Sequence, residues 1–282
     1  MSQPANLVPA IEQELLEEAP RPSRLNQRAR RYGPALLLFA LALGVWETAV
    51  IVFHIEGFLL PRPSVIAQTF VQELPTIVPN GLFTMREAIG GFLIGSTLGV
   101  LIALATARWT TISEGMMPFA IAVNSTPIIA LAPIMNNWFG ITNPLSKMSI
   151  IAVIVFFPVM INMVRGLTLV DASALELMRS YAASDFTIVR RVRVPNSLPY
   201  LFSALKVAST LSVIGAIVSE YFGGSRDALG VYISQQAALF HFAEAWAAII
   251  IACIMGITFY AVILVVERLV MPWHVSLRAT EE

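Results

Sequence analysis

From Glu176 to Pro199 the chain reads ELMRSYAASDFTIVRRVRVPNSLP, a charged insert flanked on both sides by apolar runs long enough to cross a bilayer. Its residue types suit recognition rather than bond-making. Glu176, Arg179 and the small pair Ala182 and Ala183 fall at the end of one expected helix. Ser184 and Asp185 follow, and either can cap a second, short helix by accepting from its free N–H groups. Phe186, Ile188 and Val189 flank Thr187 as apolar positions on that helix. Arg190, Arg191 and Arg193 restore charge, and Val194-Pro195 is expected to end the element. An ordinary cationic loop explains the arginines. It does not explain Phe186 and Ile188, which read as exposed anchors for a groove on a partner.

A second group lies in NSTPIIALAPIMNNWFG. Pro127 and Pro133 each remove a backbone donor and weaken the helix locally. Asn124, Ser125, Thr126, Asn136 and Asn137 supply amides and hydroxyls beside those breaks. Interrupted helices of this kind build solute paths in transporters, and the alternative is that the polar groups merely satisfy the kinks. Asn162, after Phe156, Phe157 and Pro158, is a candidate for the same path. Glu220 closes a later run. At an interface it costs little, and deeper it must be paired or functional.

Bond-making chemistry has little to work with. His54, His241 and His274 have no second ligand at a useful spacing, so no metal site is expected. Cys253 is the only cysteine, which rules out an intrachain disulfide. A P-loop needs Gly-Lys followed by Ser or Thr, but the only lysines, Lys147 and Lys206, follow Ser146 and Leu205. No cofactor is expected, and the chain is read as a non-enzyme. A membrane-embedded enzyme would need clustered Asp, Glu or His in adjacent turns. An ion-coupled carrier would need ionisable residues inside the spans, where Glu47 is nearly the only one expected, facing a water-filled seam or a partner.

The elements that must hold these residues follow from composition. The chain has 282 residues, 57% of them hydrophobic and 13% charged, with mean hydropathy +0.74. A soluble domain carries about 25% charged residues, so this chain lacks the polar surface to cover a water-exposed globule. Net charge is zero, which gives no global field for nucleic acid. Six apolar runs reach spanning length: about 34–53, 85–107, 116–138, 147–168, 199–221 and 245–270, with Arg86 and Glu87 at the end of the second. The 54–84 segment, with four prolines, is expected to lie on the outer surface as a short helix with turns. VYISQQAALFHF is expected as a short re-entrant or surface helix. Residues 1–33 are expected as a tail, with a short helix at IEQELLEEA.

Arg108, Arg165, Arg179, Arg190, Arg191, Arg193, Arg268, Arg278 and the N-terminal arginines share one side under a six-span topology. Arg62, Lys147 and Arg226 fall on the other. The richer side is cytoplasmic, which places both termini and the charged hairpin inside. Gly91, Gly95 and Gly99 recur every four residues on one face of the second run, where a neighbouring backbone can approach closely.

The hairpin resembles the EAA loop of binding-protein-dependent ABC importer permeases: Glu-Ala-Ala, three residues, Gly, nine residues, Ile-x-Leu-Pro. Glu176 stands at the Glu, Leu177 and Met178 replace the alanines, and Ala182 replaces the glycine. Val192, Val194 and Pro195 fill the Ile, Leu and Pro places, with every spacing kept. The Gly-to-Ala exchange removes the residue that enters a left-handed turn freely. LLPRPSVI, STPIIALAPIMNNWFG, LSKMSIIAVIVFFPVMIN and IVSEYFGG are similar to the nitrate/sulfonate/taurine subgroup, over roughly residues 55–275. Importers of thiamine-precursor pyrimidines and riboflavin share this look.

The resemblance implies an all-α, six-span permease of the MetI-like fold: a tail at 1–33, a permease domain at 34–275 with its coupling loop near 171–199, and a tail at 276–282. It also implies a bacterial inner-membrane location, a homodimer, cytoplasmic ATPase subunits and an extracytoplasmic solute-binding protein. Glu176, Arg179, Ala182, Ala183, Ser184, Asp185, Phe186, Thr187 and Pro195 would form the ATPase-coupling surface, with Ala182 to Thr187 at its tip. Asn124, Thr126, Asn136, Asn137, Asn162 and Glu220 are the path candidates, for a small polar or anionic solute.

Overall fold

A computed structural model describes residues 24–106 and 128–272. The described residues are helical, with no strand among them. Contacts divide the chain into two compact units, Met1–Glu56 and Gly57–Glu282. The first contains helix α1, Arg24–Val52. Within it Gly33–Val52 is apolar enough to span, and Leu36, Leu37, Leu38 and Phe39 all point outward, as lipid-facing residues do.

The second unit holds α2 (Pro63–Thr106), a single 3-10 turn at Ile128–Leu131, α3 (Ala132–Phe139) and α4 (Pro144–Thr168). Then come α5 (Ala172–Ser180), α6 (Asp185–Ile188), a π turn at Val189–Arg193, α7 (Val194–Tyr221), α8 (Leu229–Ala238) and α9 (Phe242–Val270). Among the described residues five helical stretches are long and apolar enough to cross a membrane. The expected third span, 116–138, and the short N-terminal helix lie largely or wholly outside those residues.

The expected surface segment at 54–84 is corrected. One helix of 44 residues runs from Pro63 to Thr106 and takes in Pro75 and Pro79. These prolines lie four apart on an exposed face, where the carbonyls they orphan are accessible, while Ile77 packs inward with Leu74, Tyr232 and Ile251. At 1.5 Å per residue the helix is about 66 Å long, twice the ~30 Å hydrocarbon core, so it extends past that core. Glu87 is therefore not at a helix end. It sits well inside α2 and is 3% exposed.

Backbone contact organises the bundle. A Cβ on Gly91 would stand 2.5 Å from Ile151 Cβ, one on Gly95 would run into the Ala152 carbonyl oxygen, and one on Gly99 would lie 3.0 Å from the Phe156 carbonyl oxygen. The glycine stripe is thus seated on α4 of the same chain. Residue numbers rise together along the seam, so α2 and α4 run parallel. Gly166 faces Ser197 and Gly215 faces Ile154, which makes α7 antiparallel to α4. Phe92 meets Phe259 edge-on at 4.9 Å and Gly81 faces Ile251, which lays α9 parallel to α2. In lipid no hydrophobic drive separates helix from tail, so such close packing is what associates helices.

Candidate functional site

The charged hairpin is built by local signals. Asp171 caps α5 by accepting from the Ser173 N–H (3.1 Å). At the other end the Ala182 N–H reaches the Arg179 carbonyl (2.9 Å) and the Ala183 N–H reaches that of Met178 (3.0 Å). This pair of bonds is the Schellman ending, which places Ala182 at the position that favours a left-handed residue. Ala182 adopts it, with φ of 52°, and the turn forms without glycine. Ser184, not Asp185, caps α6, accepting from the Thr187 N–H at 3.4 Å. Asp185 sits in the first turn, where its charge suits the helix dipole.

Two expectations about the hairpin are corrected. Ile188 is 6% exposed and anchors the short helix inward, whereas Phe186 is 70% and Tyr181 76% exposed. The outward apolar pair is therefore Phe186 and Tyr181, with Leu177 beside them at 57%. Pro195 does not end the element. It lies in the first turn of α7, and the preceding turn widens so that the Val194 N–H bonds to the Val189 carbonyl, five residues back. A proline that cannot donate is accommodated by this local π geometry and the helix continues.

The base of the hairpin is latched. The Asn196 side-chain amide donates to the carbonyls of Gly166 (2.8 Å) and Leu169 (2.9 Å), closing the C-terminus of α4 against the start of α7. Gly166 permits this, since a Cβ there would meet Ser197 Cα at 2.6 Å. Farther along, Lys206 pairs with both carboxylate oxygens of Glu267 (3.0 and 2.8 Å) and ties α7 to α9. Glu176, Arg179, Ala182, Ser184, Asp185, Phe186 and Pro195 are exposed, and Ala183 and Thr187 half-buried.

The opposite ends of α4 and α7 carry a buried polar network. Glu220, 1% exposed, accepts from the Thr84 hydroxyl through Oε1 (2.8 Å) and from the Gly230 N–H through Oε2 (2.6 Å). Thr84 in turn accepts from the Leu229 N–H (2.9 Å). Ala228, at the N-cap of α8, offers no side-chain acceptor, so Glu220 and Thr84 cap α8 from α7 and α2. Gly230 is required there, because a Cβ would lie 2.5 Å from the Ile217 carbonyl oxygen.

Lys147, 1% exposed, donates to Asn136 Oδ1 and to the Ile141 carbonyl, each at 2.7 Å. Ser146 also donates to Asn136 Oδ1 (2.6 Å), and the Asn136 amide donates to the Phe222 carbonyl (3.1 Å). Glu87, one turn along α2 from Thr84, is buried on the same side of that helix. Beside this network the Tyr232 hydroxyl donates to Glu73 (3.1 Å), and burial together with the Glu73 carboxylate pushes the phenol of Tyr232 up.

Of the path candidates, Asn136 and Glu220 thus come together inside one network. Asn137 is exposed beside it. Asn162 stands apart, sixteen residues from Ser146 along α4, and its amide bonds back to the Pro158 carbonyl (2.8 Å). Asn124 and Thr126 lie outside the described residues. Sequence reasoning missed Thr84, Glu87, Lys147, Gly166, Asn196 and Gly230. The expectation that ionisable residues are nearly absent from the spans is corrected: Glu87, Lys147 and Glu220 are all buried within them.

A family model described as "binding-protein-dependent transport system inner membrane component" matches residues 95–273. The riboflavin transport system permease protein RibX of Chloroflexus aurantiacus is 28% identical over 258 residues, covering 90% of this chain and 96% of that one. The formylaminopyrimidine transport permease protein ThiX of Halalkalibacterium halodurans is 28% identical over 84% of this chain and 94% of its own. The putative aliphatic sulfonates transport permease protein SsuC of Bacillus subtilis is 28% identical over 88% and 90% respectively. A crystal structure of an amino acid ABC transporter with histidines superposes with TM-score 0.55 at 21% identity, covering 70% of this chain and 95% of that one, and shares the fold. With the family model spanning well over half its length, this chain belongs to the inner membrane components of binding-protein-dependent transport systems, the permeases of ABC importers.

Proposed function

We propose that the hairpin from Ala172 to Arg193 is the surface through which a cytoplasmic ATPase drives this permease, and that the imported solute is small and polar or anionic, of the nitrate, sulfonate or taurine kind. The observation that carries the docking claim is the exposure of Phe186 and Tyr181 on a turn whose base is latched by Asn196. Exposed aromatics on a rigid knob supply contact area with little ordering cost.

In this reading residues 34–275 form the permease domain between tails at 1–33 and 276–282, in a bacterial inner membrane with both termini cytoplasmic. The parallel course of α2 and α4 supports six crossings, since it calls for a return between them. Two identical copies enclose the path, and a soluble binding protein delivers solute from outside. ATP-driven closure of the ATPase pair draws the hairpins together and turns the path outward, and hydrolysis resets it. The partner can shift this equilibrium only by binding the two states differently.

A Phe186→Ala, Asp185→Ala double variant is expected to lose ATPase association and uptake while inserting normally; wild-type association and uptake would overturn the docking claim. Probes from the cytoplasmic side should label both termini. A second reading, in which the solute is a thiamine-precursor pyrimidine or riboflavin-like molecule, is favoured by the names RibX and ThiX and by their near-full coverage. Calorimetry of the cognate soluble receptor with an alkyl sulfonate, taurine, a pyrimidine and riboflavin separates the two.

A further inference from the structure

The turn between α8 and α9 repeats the construction of the charged hairpin at the other end of the bundle. The Leu229 N–H bonds to Thr84 and the Tyr232 hydroxyl to Glu73, so α8 runs back along α2 toward its start, away from the hairpin. It ends in a second Schellman pair: the Phe240 N–H reaches the Ala237 carbonyl (3.1 Å) and the His241 N–H that of Gln236 (2.9 Å). Phe240 takes the left-handed place, with φ of 61°. Glycine enters that region freely, whereas a bulky side chain is strained there. The ring is not spent on the core. Phe240 is 64% and Leu239 61% exposed, and Phe242 braces the ring edge-on at 6.3 Å. Strain of this kind persists where the surroundings over-determine it, and it clusters at functional sites.

The neighbouring side chains narrow what can meet the turn. Gln68 and Gln72 on α2, Ser234 and Gln235 on α8, and His241 are all exposed. Such groups are costly against hydrocarbon, so this end faces water. No Lys or Arg occurs between Arg226 and Arg268, so the turn lacks the cations that draw a segment to anionic headgroups. An aromatic centre with an uncharged polar rim is the make-up of a protein–protein contact. The turn is also preorganised. Glu220 and Thr84 hold the start of α8, and Tyr232 ties its middle to Glu73.

We propose that Leu239 and Phe240 form a docking point for the soluble solute-binding protein on which transport systems of this family depend. The assignment rests on the reading above that the hairpin faces the cytoplasm, which puts the α8–α9 turn on the outer side. The partner supplies an apolar pocket for the Phe240 ring and polar groups for the rim of Ser234, Gln235 and His241.

The permease–ATPase complex in lipid nanodiscs, titrated with its cognate soluble receptor, tests this. Phe240→Gly keeps the turn, since glycine adopts a positive φ without cost, so the thermal midpoint should hold or rise. Receptor affinity should nevertheless fall by about tenfold or more. Wild-type affinity in Phe240→Gly would overturn the proposal, whatever the midpoint. If affinity and midpoint fall together, labelling decides. Cys253, which is exposed, is first replaced by serine, and Phe240→Cys is added. In right-side-out membrane vesicles this variant should react with a membrane-impermeant maleimide, and the receptor should protect it. Reaction that the receptor leaves unchanged would overturn the docking point alone. No reaction from either side, because lipid or a second copy covers the position, would overturn it too. Reaction only from the ATPase side would overturn the orientation as well, and with it the coupling role proposed for the hairpin.

Discussion

The two ends of α4 are made in opposite ways. Within the hairpin, above its Asn196 latch, the bonds are short-range in sequence: Asp171 to Ser173, Ala182 to Arg179, Ser184 to Thr187. The side chains left over, Phe186 and Tyr181 among them, face outward. At the network end the decisive bonds join residues 136 and 145 positions apart, Thr84 to Glu220 and Thr84 to Leu229, and the side chains of Thr84, Asn136, Lys147 and Glu220 are buried. One end is a preformed shape awaiting contact from outside. The other is a closed circuit whose members satisfy one another. Substitutions at the first should therefore change association while leaving the bundle intact, and substitutions at the second should do the reverse.

The seam joining the two ends gives the largest expected effect. Gly95→Leu drives a side chain into the Ala152 backbone, which has no rotamer to yield, so the loss should reach or exceed the usual ~1–3 kcal/mol of overpacking. An unchanged thermal midpoint in detergent would show that the seam is not load-sharing. Thr84→Val comes next. It strips the Leu229 N–H and Glu220 Oε1 of a partner inside the bundle, at about 1–3 kcal/mol. The midpoint should fall while ATPase association persists; loss of association at an unchanged midpoint would reverse the contrast between the ends.

Asn196→Ala tests the boundary, since it frees the Gly166 and Leu169 carbonyls at a cost near ~1 kcal/mol. Amide exchange across residues 172–193 should quicken severalfold with little change in the bundle midpoint. The smallest effect is Ala182→Gly, which relieves a left-handed alanine and should tighten the turn by up to ~1 kcal/mol. Slower exchange of the Ala183 amide is the readout, and faster exchange would mean that alanine is not strained there.

What the sequence made legible follows the same division. Spans were readable because hydrophobic length is a local property, and α9 (Phe242–Val270) begins within three residues of its expected start. The hairpin was readable because caps and turns depend on neighbours a few residues away. Ile188 was misassigned because its burial depends on the fold around a four-residue helix. The 54–84 segment was misjudged because four prolines outweigh an apolar face in any local reading, and only packing by Leu74 and Ile77 reverses that. The network was invisible for a different reason. Thr84 and Glu220 look unrelated until α2 packs on α7 and the two bond, and no spacing rule connects them. Asn136 and Glu220 stood out as polar residues in apolar runs, yet nothing local shows that they bond to elements rather than to solute.

The glycine seam also has a mechanical consequence. With α2 and α4 in contact backbone to backbone at three successive turns, and Asn196 clasping α4 to α7, a push on the hairpin has no soft joint near its base in which to dissipate. In the proposed docking, a displacement imposed at Phe186 would pass along three helices as along a stiff rod. It would be delivered where Lys147 and Glu220 sit, so the first compliant place it met would be the far rim of the bundle.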